Sequence, residues 1–432
     1  MNILVVSGAP WDENNSFGNT YTSIFKDIED LHFGNIFCKA GTLNNSFDME
    51  GFQITEKSII KNLFNPRYPT GRKVSSKKVN KENSDNFKHY DTARKLRWGF
   101  FFTIREFIWL VGKWKTKELR EYIKEFNPDI MFIPIYHATY LNRVAQYVCK
   151  IAKVPVIGYV SDDVYTLKQF SLSPFFWIKR ILARPYIKKT IEKCELLYTV
   201  SKVQEEEYEK VFALPCKILT KYSDFSDYLK PEFKKPENVI KMTYAGNISK
   251  GRYEILSNLA KCVEKLNVNG KKFELDVYTT SLLKDKQKKN LLTESVRIHP
   301  PVSYSEVREI QKNSDILVHV EAFNFQEKLA VHQSFSTKIV DYLATNRCIL
   351  AIGSDYCSSI QYFIDNECGA VAKSVDEIET RLRELDENRD LFRFYADKAW
   401  ESGKRNHDKA EMQKMIITDI KNTLEKSRKG LS

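Results

Sequence analysis

The stretch with the most chemical capacity in this chain is Ser334-Phe335-Ser336-Thr337-Lys338-Ile339-Val340-Asp341-Tyr342-Leu343. It lies between two strand-like apolar runs, 315–320 and 348–352. Ser and Thr ahead of an apolar-periodic run mark a helix start, because their hydroxyls accept from backbone N–H groups unpaired in the first turn. That end of a helix carries free donors and partial positive charge, which suits a phosphate. Ile339, Val340, Leu343 and Ala344 share one helical face and Lys338 and Asp341 another, so the aspartate need not point into the core. Donors, a lysine and a carboxylate one turn deeper fit a nucleotide diphosphate with its ribose. Ser336, Thr337, Lys338, Ile339 and Asp341 are the expected contacts.

A second cluster of the same character is Gly246-Asn247-Ile248-Ser249-Lys250-Gly251-Arg252, between a strand-like run and a helix. Glycine lets backbone approach an anion, and Lys250 or Arg252 can pair with a diphosphate, the arginine in a bidentate way. Gly246, Asn247, Lys250 and Arg252 therefore join the expected donor contacts, with a solvated basic turn as the structural alternative. In the first half of the chain, His137 and the pair Asp162-Asp163 fall just beyond apolar runs. Ligands of parallel sheets bind at the carboxyl ends of strands, so these residues are placed to face a cleft. A buried, hydrogen-bonded histidine is the alternative for His137.

The elements that must position these residues alternate. Apolar runs of four to six residues separate helical patterns through 130–212 and again through 239–352, which implies parallel sheets covered on both faces. Pro231–Pro236, set among lysines, punctuates the two blocks as a linker. The chain opens with a strand over 3–7, a turn-rich loop reaching Gly18-Asn19-Thr20, a helix over 20–30 and a strand near 35–38. Such a loop can set backbone N–H groups against an anion, or it is a plain βα connection. The expected division is a first Rossmann-like domain over 1–228, a second over 237–400, and a tail over 401–432. Residues 65–97 are polar and lysine-rich and read as a long exposed insertion. The aromatic run 98–114 is too short, and too charged at Arg105-Glu106, to span a bilayer. It is either a core or interdomain helix or an interfacial helix on anionic lipid, and 175–184 repeats its aromatic-basic character.

These segments resemble the retaining GT-B glycosyltransferases, and most closely glycosyltransferase family 4. Ser336-Thr337-Lys338-Ile339-Val340-Asp341-Tyr342-Leu343-Ala344, followed by Arg347-Cys348-Ile349-Leu350-Ala351, is similar to that family's "PSK-x-x-EY-x-A-x-GKP-x-L". The family pairs two glutamates across this motif. Here Asp341 stands at the second and Gln333 at the first, both departures from the pattern. Asn127-Pro128-Asp129 through His137, and Pro155 through Asp162-Asp163, resemble the family's active-site histidine and acidic pair. The resemblance implies α/β architecture of the GT-B type: two facing Rossmann-like domains with parallel sheets, and a C-terminal helix that returns to the first. It implies His137, Gln333, Asp162 and Asp163 as the catalytic set, and Gly18 and Asn19 beside donor phosphate or acceptor. Ile298, in Val296-Arg297-Ile298-His299, would lie near the nucleobase.

The activity implied is transfer of a sugar, with retention, from a nucleotide-diphosphate sugar to a glycan or polyprenol-linked acceptor. Bacterial capsule, exopolysaccharide or O-antigen synthesis is the implied setting. A non-catalytic partner subunit of the same fold, favoured by Gln333, and a GT-B nucleotide-sugar epimerase are the alternatives. Eight cysteines are scattered without a C-x-x-C pair or a Cys/His cluster at zinc spacing. No metal site, no cofactor and no disulfide framework is expected, and a reducing cytoplasm fits. The formal charge of +12 fits a phosphorylated substrate, nucleic acid or an anionic membrane surface. With no recognisable nucleic-acid module, a nucleic-acid partner is set aside. A cytoplasmic protein, peripheral on the inner face of the cell membrane if the aromatic-basic patches touch lipid, is the expected location.

Overall fold

The computed structural model describes residues 1–76 and 99–429. Two α/β lobes follow one another along the chain. The first is built on β1 (Asn2–Ser7), β2 (His32–Phe37), β3 (Glu50–Ile54), β4 (Gly71–Ser75), β5 (Ile130–Pro134), β6 (Val156–Tyr159), β7 (Leu196–Thr199) and β8 (Cys216–Ile218). They form one sheet in the order β4-β3-β2-β1-β5-β6-β7-β8, parallel except that β4 runs against β3. The second lobe holds β9 (Ile240–Ala245), β10 (Phe273–Tyr278), β11 (Val296–His299), β12 (Ile316–Val320), β13 (Cys348–Ile352) and β14 (Ala370–Ala372). Their order is β11-β10-β9-β12-β13-β14, and every pairing is parallel.

The central strands β5, β12 and β13 are buried at every position. That continuous burial is what helices on both faces of a parallel sheet produce. Each sheet reverses its winding once: between β1 and β5 in the first lobe, and between β9 and β12 in the second. A crevice opens at the carboxyl ends of strands where the winding reverses. The fold therefore dictates two places for a ligand, one beside Gly8 and His137 and the other beside Gly246 and Glu321.

The helix Lys409–Lys429 returns to the first lobe, where Met412, Ile416 and Ile420 enter the core with Ile3 and Val5. Three such side chains contribute about 2 kcal/mol each on burial. The buried Asp419 adds a hydrogen bond from Tyr198 Oη at 2.9 Å and an ion pair with Lys217. The chain thus crosses between lobes twice, and the two crossings touch: Ser223 N donates to His407 O at 3.1 Å and Lys409 N to Ser223 O at 2.9 Å.

Several expected boundaries move. The opening helix is Ser16–Phe25, capped by Asn15, so Gly18 and Asn19 sit in its first turns and not in the preceding loop. The stretch 65–76 is not all loop, because Gly71–Ser75 forms the antiparallel edge strand β4; residues 77–97 of the expected insertion lie outside the described residues. The aromatic helix, Gly99–Val111, buries one face and leaves another exposed. Trp109 is buried, stacked on Tyr140 at 4.8 Å, while Phe107 (61% exposed) and Leu110 (59%) face outward. Glu106 fixes the rotation, its two carboxylate oxygens accepting from Thr139 N and Tyr140 N at 2.9 Å each. Among the described residues, no helix is long and apolar enough to cross a membrane.

Candidate functional site

Gly246 follows β9, and its neighbours explain why no side chain stands there. A Cβ at this position would lie 2.1 Å from Lys338 Nζ and 3.1 Å from Tyr244 Oη. The Lys338 ammonium group therefore rests directly on the Gly246 turn, and two expected donor residues meet across ninety positions of sequence. Beneath them lies a charged layer. Arg252, first residue of the helix Arg252–Leu266, donates Nη2 to both Glu321 carboxylate oxygens at 2.9 and 3.2 Å and Nε to Val320 O at 3.1 Å. Glu321, immediately after β12, is buried. His319, two residues earlier, is also buried and points its Nε2 to within 3.5 Å of Glu321 Oε1.

The electrostatics of this layer follow from its dryness. Burial, reinforced by the Arg252 charge, pushes Lys338 down to about 8, with Glu321 and Asp341 pulling the other way. Burial, then Arg252 and Lys338, takes His319 down to about 3, so its ring is neutral at pH 7. Burial raises Glu321 against the opposing pull of Arg252. Within the second lobe Lys250, Arg252 and Lys338 all act on the carboxylate of Glu321, and Asp341 adds a second carboxylate near Lys338. The side of the Gly246 turn that meets Lys338 and Arg252 is thus partly desolvated and cation-rich, where an anion is held more strongly than in water.

The helix expected after Ser336-Thr337 is present but short. The helix spans only Lys338–Leu343, and neither Ser336 nor Thr337 caps it with a side chain. Ser336 N instead donates to Ser359 Oγ at 3.3 Å. A helix this short has little dipole to offer, and the lysine carries the positive charge. Ile339 is fully buried. Asp341 turns toward the first crossing segment, where its carboxylate accepts Lys221 Nζ at 2.5 Å. Asn247 and Lys250 are exposed on the turn, Lys250 in the left-handed region at φ 57°. Ile298 sits in β11, beside a stacked pair at the strand ends, Tyr278 and His299, 4.4 Å apart.

On the other side, His137 follows β5 at the first lobe's reversal point. Its Nε2 is buried with no hydrogen-bond partner among the described residues. Burial, then Lys179 and Arg180, holds its ring down to about 4. Asp162 lies in the cleft, where its carboxylate accepts Ser334 Oγ of the second lobe at 3.3 Å. Burial raises its pKa against the field of Lys250. Asp163 is a different case from its neighbour. It is buried and ion-paired to the equally buried Arg180 at 2.8 Å, while accepting from Tyr165 N and Thr166 N. It orders the loop after β6 and does not line the cleft. Gly18 is also structural: a Cβ there would lie 2.1 Å from Asp12 O, so helix and loop pack only through glycine.

Gln333 does not open onto the cleft. Its side chain, 1% exposed, donates Nε2 to Glu207 Oε2 at 2.6 Å and accepts from Gln204 Nε2 at 3.4 Å. Sequence reasoning missed His319, Glu321, Lys221 and Glu207. The first two carried a signal: polar residues two apart at the end of a strand otherwise apolar share one face at its carboxyl end. Among the described residues no group of three or more His, Cys, Asp or Glu side chains could hold a metal ion.

The two-lobed arrangement has counterparts among solved structures. HepE from Anabaena, in complex with UDP and glucose, superposes over 98% of this chain and 100% of its own at 11% identity and a TM-score of 0.61. The chain has the GT-B fold. The same Anabaena protein in complex with UDP-glucose matches over 98% and 100% at 12% identity, TM-score 0.58. Sucrose-phosphate synthase from Thermosynechococcus elongatus matches over 98% of each chain at 10% identity, TM-score 0.59. No protein-family model and no curated protein matches the sequence. Helix return, paired reversal points and a cleft between lobes are therefore the GT-B arrangement, reached here with about one residue in ten shared.

Proposed function

We propose that this protein is a glycosyltransferase that takes a sugar from a nucleotide-diphosphate donor. The observation that carries the reading is the Lys338 ammonium seated on Gly246 above the Arg252–Glu321 pair, at the reversal point of the second sheet. A nucleotide-diphosphate sugar carries two phosphate charges, and more negative charge gathers on the leaving phosphate as the sugar–oxygen bond breaks. Lys338, Lys250 and Arg252 are prearranged to meet it, which stabilises the transition state more than the ground state. His137 faces the transferred sugar or the acceptor as a neutral ring able to hydrogen-bond, with Asp162 beside it. The GT-B structures with UDP, glucose or UDP-glucose bound support this assignment.

The acceptor in this reading is a glycan or polyprenol-linked intermediate of bacterial surface polysaccharide, and transfer retains configuration, as the family resemblance implies. Outward faces of the helices Gly99–Val111 and Pro174–Ile191 support contact with anionic lipid. Phe107, Leu110, Phe175 (70% exposed), Ile178, Ile181 and Leu182 are solvent-facing, and Pro174–Ile191 carries five basic and no acidic residues. The Gln333 departure favours one competing reading, a subunit of the same fold that binds donor without turning it over.

Calorimetry and a turnover assay against a panel of nucleotide-diphosphate sugars test the proposal. Binding of one donor, hydrolysis or transfer of its sugar, and loss of binding in Lys338→Ala are the expected results. Binding without turnover under any acceptor would select the subunit reading. Failure of every donor to bind would overturn both.

A further inference from the structure

The three residues ahead of the donor segment, His332, Gln333 and Ser334, belong to the second lobe yet are held by the first. Ser201 Oγ donates to Gln333 O at 2.7 Å. Gln204, fully buried, links Gln333 Oε1 to Asp162 O, donating at 3.4 and 3.1 Å, and accepts Val200 N at 3.0 Å. Ser334 Oγ reaches Asp162 at 3.3 Å. Glu207, on the helix Lys202–Phe212, accepts the Gln333 amide at 2.6 Å, pairs with Lys168 and lies 3.4 Å from His332 Nε2. On its other side the segment is tied into its own lobe: Ser358 N donates to His332 O at 3.1 Å and Ser359 Oγ to Ser334 O at 3.3 Å. Four residues further along stands Lys338.

We infer that Glu207 is a positioning carboxylate for the donor site, supplied from the opposite lobe, and that Gln333 is its obligatory amide partner. The inference rests on the proposed donor site. Position 333 must donate to Glu207, and a carboxylate there has no hydrogen to donate. Two carboxylates at this separation cannot both stay ionised. Burial works against the Glu207 charge, yet Lys168, the Gln333 amide and His332 together hold its carboxyl below the ordinary value, so it is anionic at neutral pH. Among the described residues Lys168 and His332 are the charged or titratable groups meeting it, and the main-chain oxygen of Asp162 lies two amides away, through Gln333 and Gln204. The departure of Gln333 from the family pattern is then a relocation: the acid stands at 207, and the amide at 333 joins it to the segment leading into Lys338. These bonds join the two lobes and fix the segment that leads to Lys338 on Gly246.

Exchange of the two side chains tests this. Gln333→Glu should lose donor turnover at least tenfold at pH 8 and recover part of it at pH 5.5, where the facing carboxylates share a proton. The doubly substituted Glu207→Gln/Gln333→Glu restores one acid and one amide and should return to within about threefold of wild type, a coupling that independent sites do not show. Hydrogen–deuterium exchange over 332–337, corrected for intrinsic rates, gives a readout that needs no donor. Those amides should be protected in wild type, exposed in Gln333→Glu at pH 8 and protected again in the exchanged pair. The inference is overturned if Gln333→Glu matches wild type in exchange at pH 8, or if the exchanged pair is no better than the single variant. If no donor binds wild type, the proposed function falls, while the exchange measurements still decide the contact between the lobes.

Discussion

If the proposed donor site is right, Lys338 makes it a pH-sensitive anion receptor, and the size of that sensitivity can be worked out. In the free protein its ammonium titrates near 8, against an ordinary 10.5, because burial and Arg252 disfavour the charged form. A bound diphosphate places negative charge against the ammonium and restores it to at least the ordinary value. The difference, 10.5 minus 8, is 2.5 units, or about 3.4 kcal/mol, close to 300-fold in affinity between its two limits. The sign follows from which form binds: donor affinity is flat below pH 8 and falls toward tenfold per unit as pH rises through 8 and Lys338 loses its proton.

The assay is titration calorimetry with a nucleotide-diphosphate sugar, whose phosphates do not titrate between pH 6.5 and 9. Repeating it in buffers of different ionisation enthalpy counts the protons taken up. Near pH 8 about half a proton should enter per donor bound, and close to none at pH 6.5. Lys338→Met should bind weakly at pH 6.5 and show neither the decline nor the uptake. Affinity unchanged from pH 7 to pH 9 in wild type, with no proton uptake, would refute the reasoning, since it would mean that the ammonium does not touch the ligand.

Three further outcomes are expected. Gly246→Ala should push the Lys338 ammonium aside and weaken donor binding tenfold or more with the melting temperature nearly unchanged, because the atom displaced is the far end of a flexible chain. Arg252→Ala strands the buried Glu321 carboxylate and should cost about 3–5 kcal/mol in chemical denaturation, much of it recovered in Arg252→Ala/Glu321→Gln. Phe107→Ser/Ile178→Ser should reduce flotation with anionic vesicles several-fold, while leaving donor binding and melting temperature intact.

The architecture was legible because it depends on burial patterns that survive sequence divergence. Val156–Tyr159, Ile240–Ala245 and Cys348–Ile352 are apolar enough to announce themselves as covered strands, and the interval from each to the strand that follows it holds one helix. The Gly246 turn and Lys338 were legible as candidates, since glycine admits close approach of an anion and a lysine beside a helix start can pair with one, and the structure brings the two together. Direction was not legible. Asp162 and Asp163 are adjacent and identical in type, yet one meets Ser334 in the cleft and the other Arg180 in the interior. Their difference depends on an arginine seventeen positions away on the next helix. Gln333 was hidden for the same reason, because its partner is a glutamate in the other lobe.

The two histidines of the cleft and its floor limit where proton chemistry can occur. Burial holds His137 down to about 4 and His319 down to about 3, so neither carries a proton to give at pH 7. A general acid needs a pKa near the working pH, and His137 lies well below it. In the proposed reading its role is to hydrogen-bond through a ring that stays neutral, with the positive charge of the site left to Lys338, Lys250 and Arg252. This division has a consequence for rate measurements. The alkaline limb of kcat/KM should follow Lys338 near 8 in the free enzyme, and no acid limb from His137 should appear until pH approaches 4. His137→Gln, which keeps a neutral hydrogen-bonding group, should therefore lower kcat/KM without moving the alkaline limb, and any acid limb near 4 that belongs to His137 should vanish. An alkaline limb that shifted in His137→Gln and stayed fixed in Lys338→Arg would place the titrating group in the wrong lobe and defeat the assignment.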